Sequence, residues 1–238
     1  MTSTRGKLYL VPASLGISPW TATLPHDAAH IARQLRHFVV ENEKTARADL
    51  KRLEHPVPLR ELNIRALPER PTDGALRELL SPALHGNDIG LMSEAGVPAV
   101  ADPGALLVGA AHSLDIQVVP LVGPSSLLLA LMASGLNGQQ FAFHGYLPVH
   151  DDERTTALKA LESESAHKKQ TQLFIETPYR NQRMLDAIVA TCRPGTRLCV
   201  ARGITTTDEW IRMRSVAAWR EHPLPELGKV PTVFLLLA

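Results

Sequence analysis

Short apolar runs alternate with stretches of helical periodicity along most of this chain, and no other feature restricts its fold as much. Lys7–Val11, Phe38–Val40, Glu61–Ala66, Asp88–Met92 and Gln117–Leu121 read as strands. Between them Asp27–Leu35, with Asp27 as N-cap, Glu43–Leu53, Thr72–Leu80, with a Thr or Asp cap, and Ala105–Ser113 read as helices. Leu127–Ser134 is an apolar helix closed by Gly135. Such alternation predicts an α/β fold with a mainly parallel sheet. The second half reads strands at Phe141–Tyr146, Gln172–Glu176, Leu198–Arg202, Trp210–Val216 and Thr232–Leu237, with helices at Asp152–Ala166 and Asn181–Thr191. His167, Lys168 and Lys169 read as a solvated loop. The change of character near Asn137 divides the chain into an N-terminal α/β domain over 1–138 and a C-terminal one over 139–238.

Composition excludes several classes. At 238 residues with 45% apolar and 21% charged residues, the chain is globular and needs no disulfide or metal to fold. A net charge of +1 lacks the basic excess of a general nucleic-acid binder and leaves room for a local basic patch. Two cysteines, Cys192 and Cys199, make neither a disulfide framework nor a zinc site, and a reduced, cytoplasmic protein is expected. The ten histidines stand in no metal-binding spacing, so no metal is expected. Leu127–Ala133, the longest apolar run, is far short of a membrane span, and the first residues lack a signal-peptide core. No G-x-G-x-x-G, P-loop or G-x-S-x-G pattern occurs.

Three loops directly follow expected buried strands: Pro12–Gly16, Ser93–Gly104 and Val122–Ser126. Ligands of open α/β sheets bind beyond the carboxyl ends of strands. Small residues, Gly and Pro give a ligand access to the backbone and hold the loop in shape. Any one of these loops also reads as an ordinary tight turn.

Together they carry a resemblance. Ser93-Glu94-Ala95-Gly96-Val97-Pro98-Ala99-Val100-Ala101-Asp102-Pro103-Gly104 resembles S-D-A-G-T-P-x-x-S-D-P-G, and Val122-Gly123-Pro124-Ser125-Ser126 resembles P-G-P-S-A. Ala130 through Ser134-Gly135-Leu136, Phe141 to Pro148 and Phe174 to Arg180 follow in the order A-x-x-x-S-G-L, F-x-F-x-G-F-L-P and Y-E-S-P-H-R. The set resembles the tetrapyrrole methylase superfamily of S-adenosylmethionine-dependent methyltransferases, nearest its small-subunit rRNA cytidine 2′-O-methyltransferases, the methyltransferase I branch. The chain departs from that pattern at Ile17, where Asn-Leu is usual, and at Glu41-Asn42-Glu43-Lys44, which replaces E-D-T-R.

The resemblance implies two α/β domains with the methyl donor in the cleft between them, and a homodimer. It implies a donor held by Pro12, Ser93, Glu94, Ala95, Gly96, Ala101, Asp102, Val122, Gly123, Pro124, Ser125, Ser126, Ser134, Gly135, Leu136, Glu176, Thr177 and Pro178. Ser125 reads equally as a helix N-cap. A ribose hydroxyl is a poor nucleophile, so a base or cation would assist it. Glu41, Lys44 and Arg180 are the candidates. Glu41 also reads as a helix cap or ion-pair partner, Lys44 as its surface partner, and Arg180 as half of a salt bridge; Arg202, Asp208 and Glu209 follow another strand end. The expected activity is methylation of rRNA ribose. The alternatives are methylation of a tetrapyrrole or other small molecule, and S-adenosylmethionine binding without turnover.

Overall fold

The computed structural model describes residues 5–238. The chain forms two compact units, one ending at Ser125 and one spanning Ser126–Ala238. In the first unit the strands are β1 (Leu8–Leu10), β2 (His37–Val40), β3 (Asn63–Ala66), β4 (Ile89–Met92) and β5 (Val118–Pro120). They form one sheet in the order β3-β2-β4-β1-β5, and every pairing is parallel. Side chains alternate across it: Phe38 and Val40 enter one core with Leu50 and Met92, whereas Val39 enters the other with Ile89, Leu91 and Leu107. Helices α1 (His26–Gln34) and α2 (Glu43–Arg52) supply Ala29, Ala32, Ala46 and Leu50 to the first core. Helices α3 (Asp73–Leu79), α4 (Ser81–Leu84) and α5 (Ala105–Ser113) supply Leu76, Leu79, Ala83, Leu107 and Ala111 to the second.

The second unit holds α6 (Ser126–Ser134), β6 (Phe141–Tyr146), α7 (Asp151–Lys168), β7 (Thr171–Ile175), α8 (Asn181–Thr191), β8 (Arg197–Arg202), β9 (Trp210–Ser215), α9 (Val216–Arg220) and β10 (Thr232–Leu237). Its sheet runs β6-β7-β10-β8-β9. Only β6 and β7 pair in parallel; the other pairings are antiparallel. The expected mainly parallel sheet therefore describes the first unit alone, because β8 returns directly into β9 as a hairpin. Phe174 and Phe234 stack at 5.8 Å in the core, and buried Trp219 donates its indole N–H to Leu198 O at 3.1 Å. Helix α6 lies beside β8, β9 and β10.

Local chemistry explains the other departures. Helix α1 starts at His26 after Pro25, with no side-chain cap, and Asp27 sits inside its first turn, where a carboxylate favours the dipole. Thr72 caps α3 through Ala75 N–H. His167 and Lys168 are helical; Lys168 pairs with Glu164 at 2.6 Å, and Lys169 closes α7 in the left-handed conformation. Val216 opens α9, capped by Ser215, instead of ending a strand. Cys192 and Cys199 are both free, and burial pushes each thiol up to about 12. Among the described residues no helix is long and apolar enough to cross a membrane, and no group of three potential ligands could hold a metal.

Candidate functional site

In the first unit β1 lies between β4 and β5, all parallel, so the loops leaving their carboxyl ends emerge side by side. The pairing runs up to those loops: Val11 N–H donates to Leu91 O at 2.8 Å and Leu121 N–H to Leu10 O at 3.0 Å. Past the strands, Ala13 and Gly96 exchange both backbone hydrogen bonds, at 2.8 and 3.1 Å, which joins the first loop to the second. Gly96 has φ +72°, and a β-carbon there would lie 3.1 Å from Leu15 Cδ2 and 3.4 Å from Pro124 O. At Gly123 a β-carbon would lie 2.2 Å from Pro12 Cβ. Pro12, Gly96, Gly123 and Pro124 thus form one junction of three loops distant in sequence, which leaves no room for a β-carbon at Gly123.

The second loop is strained. Ala99 and Ala101 adopt φ values of 66° and 63°, a region that disfavours a residue with a β-carbon by about 1–2 kcal/mol. Strain of this kind concentrates where a site needs a fixed backbone shape. Ser93 is buried and its hydroxyl donates to Ala95 O at 3.2 Å.

The β2–α2 junction clasps the same loop. Glu41 N–H donates to Met92 O at 3.1 Å, and Glu41 Oε2 accepts Glu94 N–H at 2.9 Å. Thr45 Oγ1 donates to Glu94 Oε1 at 3.3 Å. Asn42, not Glu41, caps α2, accepting from the N–H groups of Lys44 and Thr45 at 2.9 and 3.2 Å. Lys44 is exposed and makes no ion pair with Glu41. The carboxyl of Asp102 is pushed up to about 6 by burial, then by the Glu41 charge, with Glu94 adding to the repulsion and the Ser93 hydroxyl opposing it. Arg52, paired with buried Asp49, donates to Gly16 O at 3.1 Å and so anchors the first loop to α2.

The structure therefore brings together Pro12, Glu41, Ser93, Glu94, Ala95, Gly96, Asp102, Gly123 and Pro124. Ala101 precedes Asp102 in the strained segment, and Val122 is exposed. Ser125 ends the first unit and Ser126 opens α6 in the second.

The remaining expected residues lie in the second unit. Ser134 is buried; its hydroxyl donates to Leu131 O at 2.8 Å and accepts Leu136 N–H at 3.0 Å, fixing the turn through Gly135 at φ +68°. Glu176, its side chain 1% exposed, accepts Thr177 N–H at 2.6 Å and Arg180 Nη2 at 2.7 Å. Pro178 opens the 3₁₀ turn that brings Arg180 back to it. The carboxylate holds the guanidinium pKa above its usual value. Glu176 Oε2 and Arg180 Nε are buried without partners among the described residues, a free acceptor and a free donor on the two members of one ion pair.

Thr45, Asn42 and Arg52 escaped the sequence reading as site residues, and Ala13 was marked only as part of the first loop. Asn42 carried a signal, an Asx residue immediately ahead of a helical run. Thr45 and Arg52 act through tertiary contacts and left none.

Over 211 residues the chain is 31% identical to the ribosomal RNA small subunit methyltransferase I of Escherichia coli O157:H7, covering 88% of this chain and 69% of that protein. It is 30% identical over 234 residues to the protein of the same name from Buchnera aphidicola subsp. Schizaphis graminum, covering 97% and 78%. The chain belongs to the ribosomal RNA small subunit methyltransferase I family. Another member, from Mesorhizobium japonicum, is 39% identical over 145 residues, and this chain spans about half its length, 48%. No family model matches the chain. Among solved structures, the methyltransferase CobJ superposes with a TM-score of 0.63 at 18% identity, covering 98% of this chain and 94% of that one. The uroporphyrin-III-C-methyltransferase of Thermus thermophilus superposes at 0.55 and 19% identity, covering 98% and 92%. These two share the α/β fold with two sheets that this family member adopts.

Proposed function

We propose that the chain is an S-adenosylmethionine-dependent methyltransferase acting on a ribose 2′-hydroxyl of small-subunit ribosomal RNA. The observation that carries this reading is the junction of three loops at the carboxyl edge of the first sheet, tied by the Ala13–Gly96 bonds and the close approach of Gly123 to Pro12. The kinship with named rRNA methyltransferases supports the choice of acceptor.

The residues suit the donor's chemistry. Small residues leave backbone groups open to a nucleoside, and the carboxylates of Glu41, Glu94 and Asp102 complement a cationic sulfur. In the reaction the ribose oxygen bonds to the methyl carbon, the carbon–sulfur bond breaks and its electron pair stays on sulfur. The hydroxyl proton leaves to a base or to water. Such a displacement needs little beyond alignment, so a rigid cradle is the protein's main contribution. Of the three polar groups expected to assist the hydroxyl, Glu41 is the one bonded into this loop cluster. Arg180 is engaged by Glu176.

The test is transfer of labelled methyl from S-adenosylmethionine to small ribosomal subunits from a strain lacking the gene, with the product mapped as a 2′-O-methylated nucleotide. Label in rRNA ribose supports the proposal. Donor binding with label appearing only in a tetrapyrrole refutes the acceptor, and absence of donor binding refutes the enzyme class.

A further inference from the structure

The chain's small net charge hides a local excess. From Arg193 to Arg220 it carries six arginines, no lysine and two carboxylates, Asp208 and Glu209, in a protein of net charge +1. Arg193 pairs with Glu162 at 3.2 Å. The other five arginines have no carboxylate partner among the described residues.

Topology gathers several of them at one end of the β8–β9 hairpin. Both carboxylates lie at its turn, where Glu209 accepts Thr205 N–H at 2.8 Å. At the open end Arg197 pairs in register with Ser215, and Leu198 with Arg214. Helix α9 is held to that end by Val216 N–H on Thr196 O at 2.8 Å and Ala217 N–H on Pro194 O at 2.9 Å, which carries Arg220 with it. Among the described residues the guanidinium of Arg220 donates only to the carbonyls of Val189 and Cys192, so no carboxylate there neutralises its charge. Strand β9 is the sheet's edge. Arg212 and Arg214 share one of its faces, about 6.6 Å apart along the strand. Arg214 sits over the Trp219 ring at 5.6 Å, which fixes its guanidinium, and Arg212 is exposed.

We infer that the edge strand β9, through Arg212 and Arg214 with Arg220 beside them, is a docking surface for the phosphate backbone of RNA. Arginine's planar fork matches phosphate oxygens, and a patch made only of arginines at the end remote from its acids fits a regularly charged polyanion. The inference rests on the reading that the chain acts on RNA, and adds where that RNA is held.

The experiment measures binding of transcribed small-subunit rRNA to the full chain across a series of KCl concentrations. The variants are Arg212→Gln/Arg214→Gln and the single exposed change Arg212→Glu, which leaves the Trp219 stack intact. Each lost phosphate contact lowers the slope of log K against log[KCl] by roughly 0.7–0.9. The double variant is expected to lose about 1.5 from that slope and to bind roughly tenfold more weakly at moderate salt, while S-adenosylhomocysteine affinity by calorimetry stays unchanged. Arg212→Glu is expected to weaken RNA binding in the same direction. Wild-type RNA affinity and slope in both variants overturns this inference alone. Failure of the wild type to bind RNA at low salt overturns it together with the acceptor reading. Loss of binding to anionic vesicles with RNA binding unchanged assigns the face to a membrane and also overturns it.

Discussion

Replacing Gly123 with Ala probes the loop junction with a single carbon. The new β-carbon would lie 2.2 Å from Pro12 Cβ, 2.4 Å from Pro12 Cγ and 3.1 Å from Leu24 Cδ2. Saturated carbons pack at about 3.5–4.0 Å, so Pro12 and Gly123 must separate by more than about 1 Å. Pro12 cannot yield by rotating a side chain, because its ring is closed and buried, and the next residue, Ala13, is bonded to Gly96 on both sides. Gly123 does not adopt positive φ, so backbone strain does not enter and the whole effect is steric. Overpacking of this kind costs about 1–3 kcal/mol, which in a chain of this size lowers the melting temperature by roughly 2–12 °C. A displacement of about 1 Å in a donor loop also weakens S-adenosylhomocysteine binding by roughly tenfold or more. Gly109→Ala is the control. It lies in α5 with nothing within 4 Å of the new carbon, and is expected to raise stability by about 0.8–1 kcal/mol without changing donor affinity. Scanning calorimetry and isothermal titration read both quantities. Gly123→Ala with wild-type melting and wild-type affinity would refute the reasoning.

Asp102→Asn tests the carboxylate cluster. Its folded pKa of about 6 lies above the ordinary 3.8, so between those values the folded state holds more protons than the unfolded one. Stability then falls as pH rises from about 4 to 6 and is level above that. With the effect discounted for solvent access, the variant is expected to gain about 1–2 kcal/mol at pH 8 and to lose that slope; equal melting of the two proteins at pH 4 and a lower value for the variant at pH 8 would count against it. Glu41→Gln and Glu41→Ala separate a base from a loop clasp. A clasp predicts that Gln keeps the bond to Glu94 N–H and most of the donor affinity while Ala loses it, whereas loss of turnover in both with donor affinity intact marks a base. Arg180→Ala strands the Glu176 carboxylate in the interior and is expected to destabilise the chain by about 3 kcal/mol in urea denaturation, with Glu176→Gln/Arg180→Ala recovering part of it; a change within about 0.5 kcal/mol would show the pair to be dispensable.

The first unit was legible because each of its signals is local. The short apolar run Phe38–Val40 and the helical periodicity over Glu43–Leu53 mark strand and helix, and strand–helix alternation points to a parallel sheet. In the second unit the same kinds of strand pair antiparallel, and nothing in Leu198–Arg202 or Thr232–Leu237 states its direction, since that depends on the length and path of each connection. Helix α6 follows β5 directly in sequence, and in the structure it belongs to the second unit, beside β8, β9 and β10, with Leu128 and Met132 exposed. The loops themselves announced the site through Gly, Pro and small residues. What holds them did not: the Ala13–Gly96 exchange involves main-chain atoms alone, and Arg52 reaches Gly16 from 36 positions away.

The central claim is that Pro12–Gly16, Ser93–Gly104 and Val122–Ser125 act as one cradle for S-adenosylmethionine. Hydrogen–deuterium exchange with and without saturating S-adenosylhomocysteine tests it most directly. Slowed exchange is expected at amides of all three loops together, with the opposite end of the first sheet, around His37 and Asp88, unchanged. Slowed exchange in one loop only, or at that opposite end instead, would contradict it.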